Sequence, residues 1–477
     1  MAVDFDEQTC EQARLHRDPR FDGRIFIGVT TTGVYCRPIC PSPHARREHV
    51  RYFPTAAAAA QAGFRPCLRC RPEVAPGTPA WNGTSATVSR GLRLIAEGAL
   101  DESDVETLAG RLGVTSRHLS RLFLRHLGAS PTAIARTRRM QFAKQLLSDT
   151  TLGVAQIAMA AGFGSIRRFN DMFRQHYGRP PSQVRRLGRP RRSSDDEYVL
   201  RLAYRPPYDW NTLLAFLAAR AIPGVESARG GLYRRSISVG EVAGMMEIAA
   251  ERGTNTLCAR IRLPRPEPLL QILTRVRVMF DLSADPQLIE RHLRTDPLLT
   301  PLVRTHPGLR LPGAWDTCEL IIQALLATRY SLSETRRFMG WIARRHGTPL
   351  AAATARDLSC TFPRAQTLAT ADLSVLPRPA AEAVRGAASL FCTEGAARDD
   401  DLLASLRRAA HADEPTIQYI AMRALGDPDA LPADARQLAG VAKGAASGEA
   451  WQRRTDAWKP WRSYAALYLM CAPGPPG

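Results

Sequence analysis

The stretch 34–40, VYCRPIC, has an echo at 64–70, FRPCLRC. Together they hold Cys36, Cys40, Cys67 and Cys70 as two close pairs, in a chain whose six other cysteines are scattered. The spacing is C-x3-C, a long gap, then C-x2-C. Such short spacings let both sulfurs of a pair reach one tetrahedral ion at about 2.3 Å. Where thiols stay reduced, the pattern reads as a zinc site. Closed four-cysteine sites are usually structural. Spacing alone therefore leaves open whether one thiolate is also a reagent.

The 477 residues are too many for one core and point to about three domains. Hydrophobic content, 45%, is that of a globular chain, but the net charge of +20 is strongly basic. Such a balance points to nucleic acid or an anionic membrane surface. Only Lys144, Lys443 and Lys459 are lysines, so nearly all the positive charge is arginine, which a GC-rich genome also favours. No charged-then-apolar leader opens the chain, and no apolar run nears the roughly 20 residues that span a bilayer. The expectation is a cytoplasmic, nucleoid-associated protein with no membrane partner. Cys10, Cys258, Cys318, Cys360, Cys392 and Cys471 lack paired spacing and read as small buried apolar side chains.

Two composition shifts mark joints: 73–84, EVAPGTPAWNGT, and 186–196, RLGRPRRSSDD. Prolines 286, 297, 301, 307 and 312 mark a further break. The divisions are 1–75, 85–188, 197–283 and 284–477. AAAAA at 56–60 reads as a helix. From 85 to 188 the apolar pattern is helical, with Leu108 and Leu112, and Leu119 and Phe123, one turn apart. Two helix–turn–helix units follow, DVETLAGRLGVTSRHLSRLFLRHLG and VAQIAMAAGFGSIRRFNDMFRQHYGRPPS. Gly113 and Gly162 sit at the turns, with Ser116 and Ser165 as N-caps of the second helices. Arg117, His118 and Arg121 in one, and Arg167, Arg168 and Asn170 in the other, lie where a recognition helix meets base edges. Phe169 and Phe173 read as core.

Larger resemblances run through the chain. FIGVTTTGVYCRPIC, HARREHVRYF and AGFRPCLRC resemble the amino-terminal domain of the Ada family of methylation-response proteins, over essentially all of 1–75. The resemblance implies a zinc ion on the four cysteines. It also implies that Cys36 irreversibly accepts a methyl group from a methylphosphotriester in DNA. The physics agrees, because a metal-held thiolate is a nucleophile without needing a base. Four thiolates on a dication carry 2 − 4 = −2, which falls to −1 on methylation, so repulsion from a phosphate backbone weakens. Arg37, Arg46, Arg47, Arg65, Arg69 and Arg71 crowd the site in sequence, and Arg37 and Arg47 are assigned to DNA. Thr31 and Thr32 match the family; Pro43 stands where it often has a basic residue.

The second helix–turn–helix, with GFGS, Phe169, Phe173, Gly178, Pro181 and Ser182, resembles the AraC family of transcription regulators. Residues 197–471 resemble the AlkA type of 3-methyladenine DNA glycosylase, on EYVLRLAYRPPYDWNTLLAFLAARAIPGVE, RRSISVG, VMFDLSADPQLI, PGLRLPGAWDTCELIIQALL and AWKPWRSYAALYLM. This implies short strands near 197–204 and 231–239, a helix at 211–220 and a helical body. It also implies excision of an alkylated base flipped from the duplex. The family's catalytic aspartate falls on Asp434, in ALPADARQL. There it would stabilise the oxocarbenium-like sugar or orient water. Trp315 is assigned to the base pocket, and Arg329 stands in place of the apolar wedge that contacts DNA.

Departures are legible too. The family's hairpin glycines, which let backbone N–H groups approach a phosphate, are replaced in AAHADEPTIQYIAMRAL by Ala410, His411 and Asp413. Ala327 and Thr328 replace Gly-Gln, while Pro415 and Met470 replace aromatic pocket walls. No lysine stands near the hairpin, so a Schiff-base lyase step is not expected. A separate alkylguanine methyltransferase module, with Pro-Cys-His-Arg, has no match. The expected fold is multidomain α+β: a small four-cysteine zinc domain, an all-α tandem helix–turn–helix domain, a small mixed α/β domain and a helix–hairpin–helix glycosylase domain. The expected function is an alkylation response: methyl transfer to Cys36 that activates transcription, and base excision. Zinc is the cofactor; double-stranded DNA and RNA polymerase are the partners. The alternative is a regulator whose degenerate glycosylase half only binds DNA.

Overall fold

The computed structural model describes residues 5–76, 86–101, 103–187, 196–350, 357–392, 399–409, 412–432 and 448–471. The chain forms two compact units. The first comprises Met1–Pro206, Glu251–Thr274 and Leu282–Ala284; the second comprises Pro207–Ala250, Arg275–Asp281 and Asp285–Gly477.

The first unit opens with helix α1 (Glu7–Leu15), then β1 (Phe26–Val29), β2 (Val34–Cys36), β3 (Val50–Phe53), α2 (Ala56–Gln61) and β4 (Arg65–Pro66). The sheet order is β3-β1-β2-β4, antiparallel except for the parallel pair β2–β4. Phe26, Tyr35, Phe53 and Phe64 form its core with the alanines of α2. Gly28 is required there, since a Cβ would stand 2.8 Å from the Phe53 ring and 3.0 Å from Phe64. The alanine run is the expected helix. Thr55 caps it, accepting a hydrogen bond from the Ala58 N–H at 3.0 Å. Methyl side chains keep α2 slim enough to bury both sides. One side faces this sheet, and Ala57 packs on Ala129 and Ala133.

Seven helices follow: α3 (Ala86–Ala96), α4 (Val105–Arg111), α5 (Ser116–Leu127), α6 (Pro131–Asp149), α7 (Val154–Ala160), α8 (Ile166–Tyr177) and α9 (Pro181–Leu187). The pairs α4–α5 and α7–α8 are two copies of one design, with α6 between them. The turns before α5 and α8 use left-handed Gly113 (φ +70°) and Gly162 (φ +75°). Each recognition helix starts on a hydroxyl cap and ends on a left-handed glycine, Gly128 or Gly178. Ser165 caps α8 as expected, accepting from the Arg168 N–H. The cap of α5 is Thr115, not Ser116. Thr115 is the residue with extended backbone, so its hydroxyl meets the His118 N–H at 3.2 Å. Leu119, Phe123 and Leu127, like Phe169, Phe173 and Tyr177, point into the core. Strands Glu197–Ala203 and Thr256–Arg262 close this unit as an antiparallel pair.

The second unit contains α10 (Trp210–Arg220) and an antiparallel meander of strands Glu226–Arg229, Leu232–Val239 and Val242–Ala250. Its helical body includes α11 (Thr317–Ala327), α12 (Leu332–His346), α13 (Arg378–Ser389) and α14 (Glu414–Ala424). Ile321, Ile322, Leu325, Met339, Ile342, Val384, Ile417 and Ile420 pack at its centre. The expected strands and helix of 197–239 fall within a residue of those found. Among the described residues, no helix is long and apolar enough to cross a membrane.

His176 on α8 supplies a pH test. Burial holds its imidazole down at about 4, with Arg136 adding repulsion. An unfolded histidine protonates near 6.5. Its contribution to stability is therefore complete above about 6.5 and is lost as pH falls toward 4, by up to about 1.4 kcal/mol per pH unit. Thermal melts of His176→Gln at pH 7.5 and 5 should show a smaller acid-induced drop in Tm than wild type.

Candidate metal centre and nucleic-acid surfaces

The parallel pair β2–β4 builds the cysteine site. Its register sets Val34 against Arg65 and Tyr35 against Pro66, so the two strands deliver Cys36 and Cys67 side by side. The Cys67 N–H donates to the Tyr35 carbonyl at 2.9 Å and fixes this end. A turn closed by the Cys40 N–H on the Arg37 carbonyl returns Cys40 to the cluster. All four Sγ atoms lie within 4.8 Å of one another. A tetrahedral zinc–thiolate site needs sulfur separations of about 3.8 Å, from bonds of about 2.3 Å. The donor set also fits by its charge. Four sulfurs this close cannot all be thiolates unaided. Hydrogen bonding to Cys40 and Cys67 pushes the Cys36 thiol up, while hydrogen bonding from Cys36 pulls Cys40 down. A dication removes that conflict.

The four sulfurs are not equivalent. Cys40, Cys67 and Cys70 are buried, and Cys36 is half-buried. Cys70 is also capped by the Arg37 N–H at 3.3 Å. Cys36 is thus the least enclosed residue of the four.

Arg37 is not a phosphate clamp. Its side chain is buried, its Nε donates to Asp22 at 2.8 Å, its Nη2 reaches the same carboxylate, and Nη1 donates to the Cys70 carbonyl at 3.0 Å. It follows Cys36 directly and turns inward, so it braces the ligand loops instead of meeting solvent. Arg46, Arg47, Arg65 and Arg69 are exposed, Arg47 beside Glu7 at 3.1 Å. In the reader, Arg117, Arg121, Arg167 and Arg168 are exposed on the first two turns of α5 and α8, and Asn170 is half-buried. The helix N-termini add partial positive charge there. Arg121 Nη2 and His118 Nδ1 are 3.0 Å apart, which orders that face.

In the second unit, Arg329 is exposed in the turn after α11. Trp315 is buried and does not offer an open face. The guanidinium groups of Arg275 and Arg235 lie 5.1 and 6.0 Å from its ring centre. It lines a small cavity with Glu226, Arg235, Glu319, Gln323 and Arg423. Arg235 is fully buried and bridges Glu226 and Glu319. These charged residues were missed from sequence, although Arg235 shares a strand face with buried Tyr233 and Ile237, a place for apolar side chains. Asp413 takes a different part from the one its sequence position suggests. It is the N-cap of α14 and accepts the Thr416 N–H at 3.0 Å, while Glu414 pairs with Arg407. Asp434 lies outside the described residues, as do Ala410 and His411.

A four-cysteine metal centre beside a double helix–turn–helix defines a metal-binding, DNA-binding class of protein. Three family models match: the metal binding domain of Ada over residues 9–73, a helix-turn-helix domain over 108–187 and the AlkA N-terminal domain over 199–316. A probable bifunctional transcriptional activator/DNA repair enzyme AlkA of Mycobacterium tuberculosis is 37% identical over 97% of this chain and 96% of its own length. DNA-3-methyladenine glycosylase 2 of Escherichia coli is 28% identical over 57% of this chain and 97% of its own. The bifunctional activator/repair enzyme Ada of the same organism is 36% identical over 32% of this chain and 41% of its own. The chain belongs to the family of bifunctional transcriptional activator/DNA repair enzymes of the Ada–AlkA kind. It binds zinc and DNA.

If Arg37 braces the metal loops, Arg37→Ala leaves Asp22 buried and unpaired. The variant should lose about 3 kcal/mol of stability and part of its zinc. Thermal melting and metal analysis check this.

Proposed function

We propose that Cys36 accepts a methyl group from a methylphosphotriester in DNA, and that the methylated protein activates transcription through the α5 and α8 readers. The observation that carries this is the four-sulfur cluster itself, in which Cys36 is the one residue of the four that is not fully buried. In the step, Cys36 Sγ attacks the methyl carbon in line. The S–C bond forms as the C–O bond breaks, and the phosphodiester leaves as its anion. The electron pair on sulfur makes the new bond, so no proton moves and no oxidant is needed. When bound to Cys36, Cys40, Cys67 and Cys70, zinc supplies the charge that keeps the attacking sulfur a thiolate. The Arg37 N–H on Cys70 and the buried Arg37–Asp22 pair hold the other ligands in place. The product thioether removes one negative charge from the surface that meets the backbone, so DNA affinity rises. RNA polymerase is the partner this reading implies, supported by relatives named transcriptional activators, and the work is placed in the cytoplasm at the chromosome.

We also assign excision of alkylated bases such as 3-methyladenine to the second unit, with Asp434 as the carboxylate that stabilises the developing sugar cation. The capping of α14 supports a second reading, in which this half binds DNA without excising a base. In the family resemblance the hairpin offers bare N–H groups to a phosphate. Here Asp413 occupies that helix start with its own carboxylate, and Glu414 adds another.

Incubation with duplex carrying methylphosphotriesters should add about 14 Da to the peptide holding Cys36, one methyl replacing one proton, and Cys36→Ser should add nothing. Wild type should release free 3-methyladenine from alkylated DNA and Asp434→Asn should release far less. Equal, background release by both would establish the non-excising reading.

A further inference from the structure

The metal domain touches the reader at places that ordinary domain packing does not require. The Thr55 hydroxyl, besides capping α2, donates to the Leu127 carbonyl at 3.0 Å. Leu127 is the last residue of α5, the first recognition helix. Ten residues on, β4 packs on α8, and Arg65 lies so close to Gly178 that a Cβ there would meet Nη1 at 2.1 Å. Gly178 is the C-cap of α8, the second recognition helix. Between these points α2 packs along α6, the helix that joins the two readers, with Ala57 against Ala129 and Ala133. One short segment, 55–65, thus reaches the back ends of both recognition helices.

The metal domain is held at a further point by charge, just beyond that segment. Lys144, in the middle of α6, is buried and pairs with buried Glu73. Arg71 Nε donates to the same Glu73 oxygen at 3.0 Å, and its Nη2 reaches Asp149, the last residue of α6, at 2.8 Å. Arg71 adopts left-handed φ of +54° to do so. A buried lysine is rare unless paired. This one is tied to a residue 71 positions upstream. Zinc ligands flank both attachments: Cys67 follows β4, and Cys70 precedes Arg71.

We infer that the metal domain is a brace that fixes the two recognition helices relative to one another, so that half-site spacing in the operator is set by the Thr55, Arg65 and Glu73–Lys144 contacts and not by α6 alone. The inference rests on α5 and α8 both reading DNA. Glu73 and Lys144 are positioning residues in this scheme; they touch no base.

The test uses full-length, zinc-loaded protein and a duplex selected by that protein from a random library. Affinity is measured for the selected duplex, for the duplex with one base pair inserted between its halves, and for the duplex with one half scrambled. An inserted pair shifts the halves by about a tenth of a helical turn. Wild type should lose affinity about tenfold, the scale of one misfitted contact. Glu73→Gln/Lys144→Met, which leaves no buried charge from that pair, should lose less than about threefold while binding the half-scrambled duplex as wild type does. Ala57→Gln, at a separate contact, should do the same, and serves if the paired variant loses zinc. Spacing discrimination equal to wild type in both variants overturns the brace. So does a wild type indifferent to the inserted pair. Wild-type binding that is unchanged when either half is scrambled sinks the double reading itself, and the inference with it.

Discussion

Four sulfurs within 4.8 Å of one another are the constraint on which the first unit depends. They cannot coexist as thiolates without a cation, and they cannot be moved apart without breaking the β2–β4 pairing that delivers two of them. The metal is therefore both the closure of a very small sheet and the source of the chemistry. A domain of this size has little core of its own; its aromatic cluster is completed by the alanines of α2. The same economy explains why α2 is shared with the reader.

Much of the candidate site was legible in sequence because its information is local. Cysteine spacing, a hydroxyl before an amphipathic helix and a glycine at its end all act over a few residues, and these readings locate the metal cluster and both recognition helices. What failed was long-range pairing. Nothing near Arg37 tells that Asp22, fifteen positions earlier, will draw it inward. An arginine beside a nucleophile looks like a phosphate contact until its burial is known. Thr115 and Ser116 offer equivalent hydroxyls, and only the backbone angle decides between them.

Buried charge was the other blind point, though a signal existed. Lys144 lies one turn from both Met140 and Leu147 on a buried helix, and Arg235 shares a strand face with Tyr233 and Ile237. A charge at an apolar position demands a partner elsewhere. Asp413, at the start of α14, is the converse case. Asp413 reads as a defect in a phosphate-binding hairpin, yet it satisfies the helix that follows. One residue serves the fold of the helix it begins.

The two recognition helices are each delimited twice, by a hydroxyl at the start and a left-handed glycine at the finish. Their length and phase are consequently locked, whatever occupies the outward positions. Such a segment tolerates exchange of its surface residues far better than insertion or deletion. Regulatory targets could then diverge among relatives by single replacements, leaving the scaffold undisturbed.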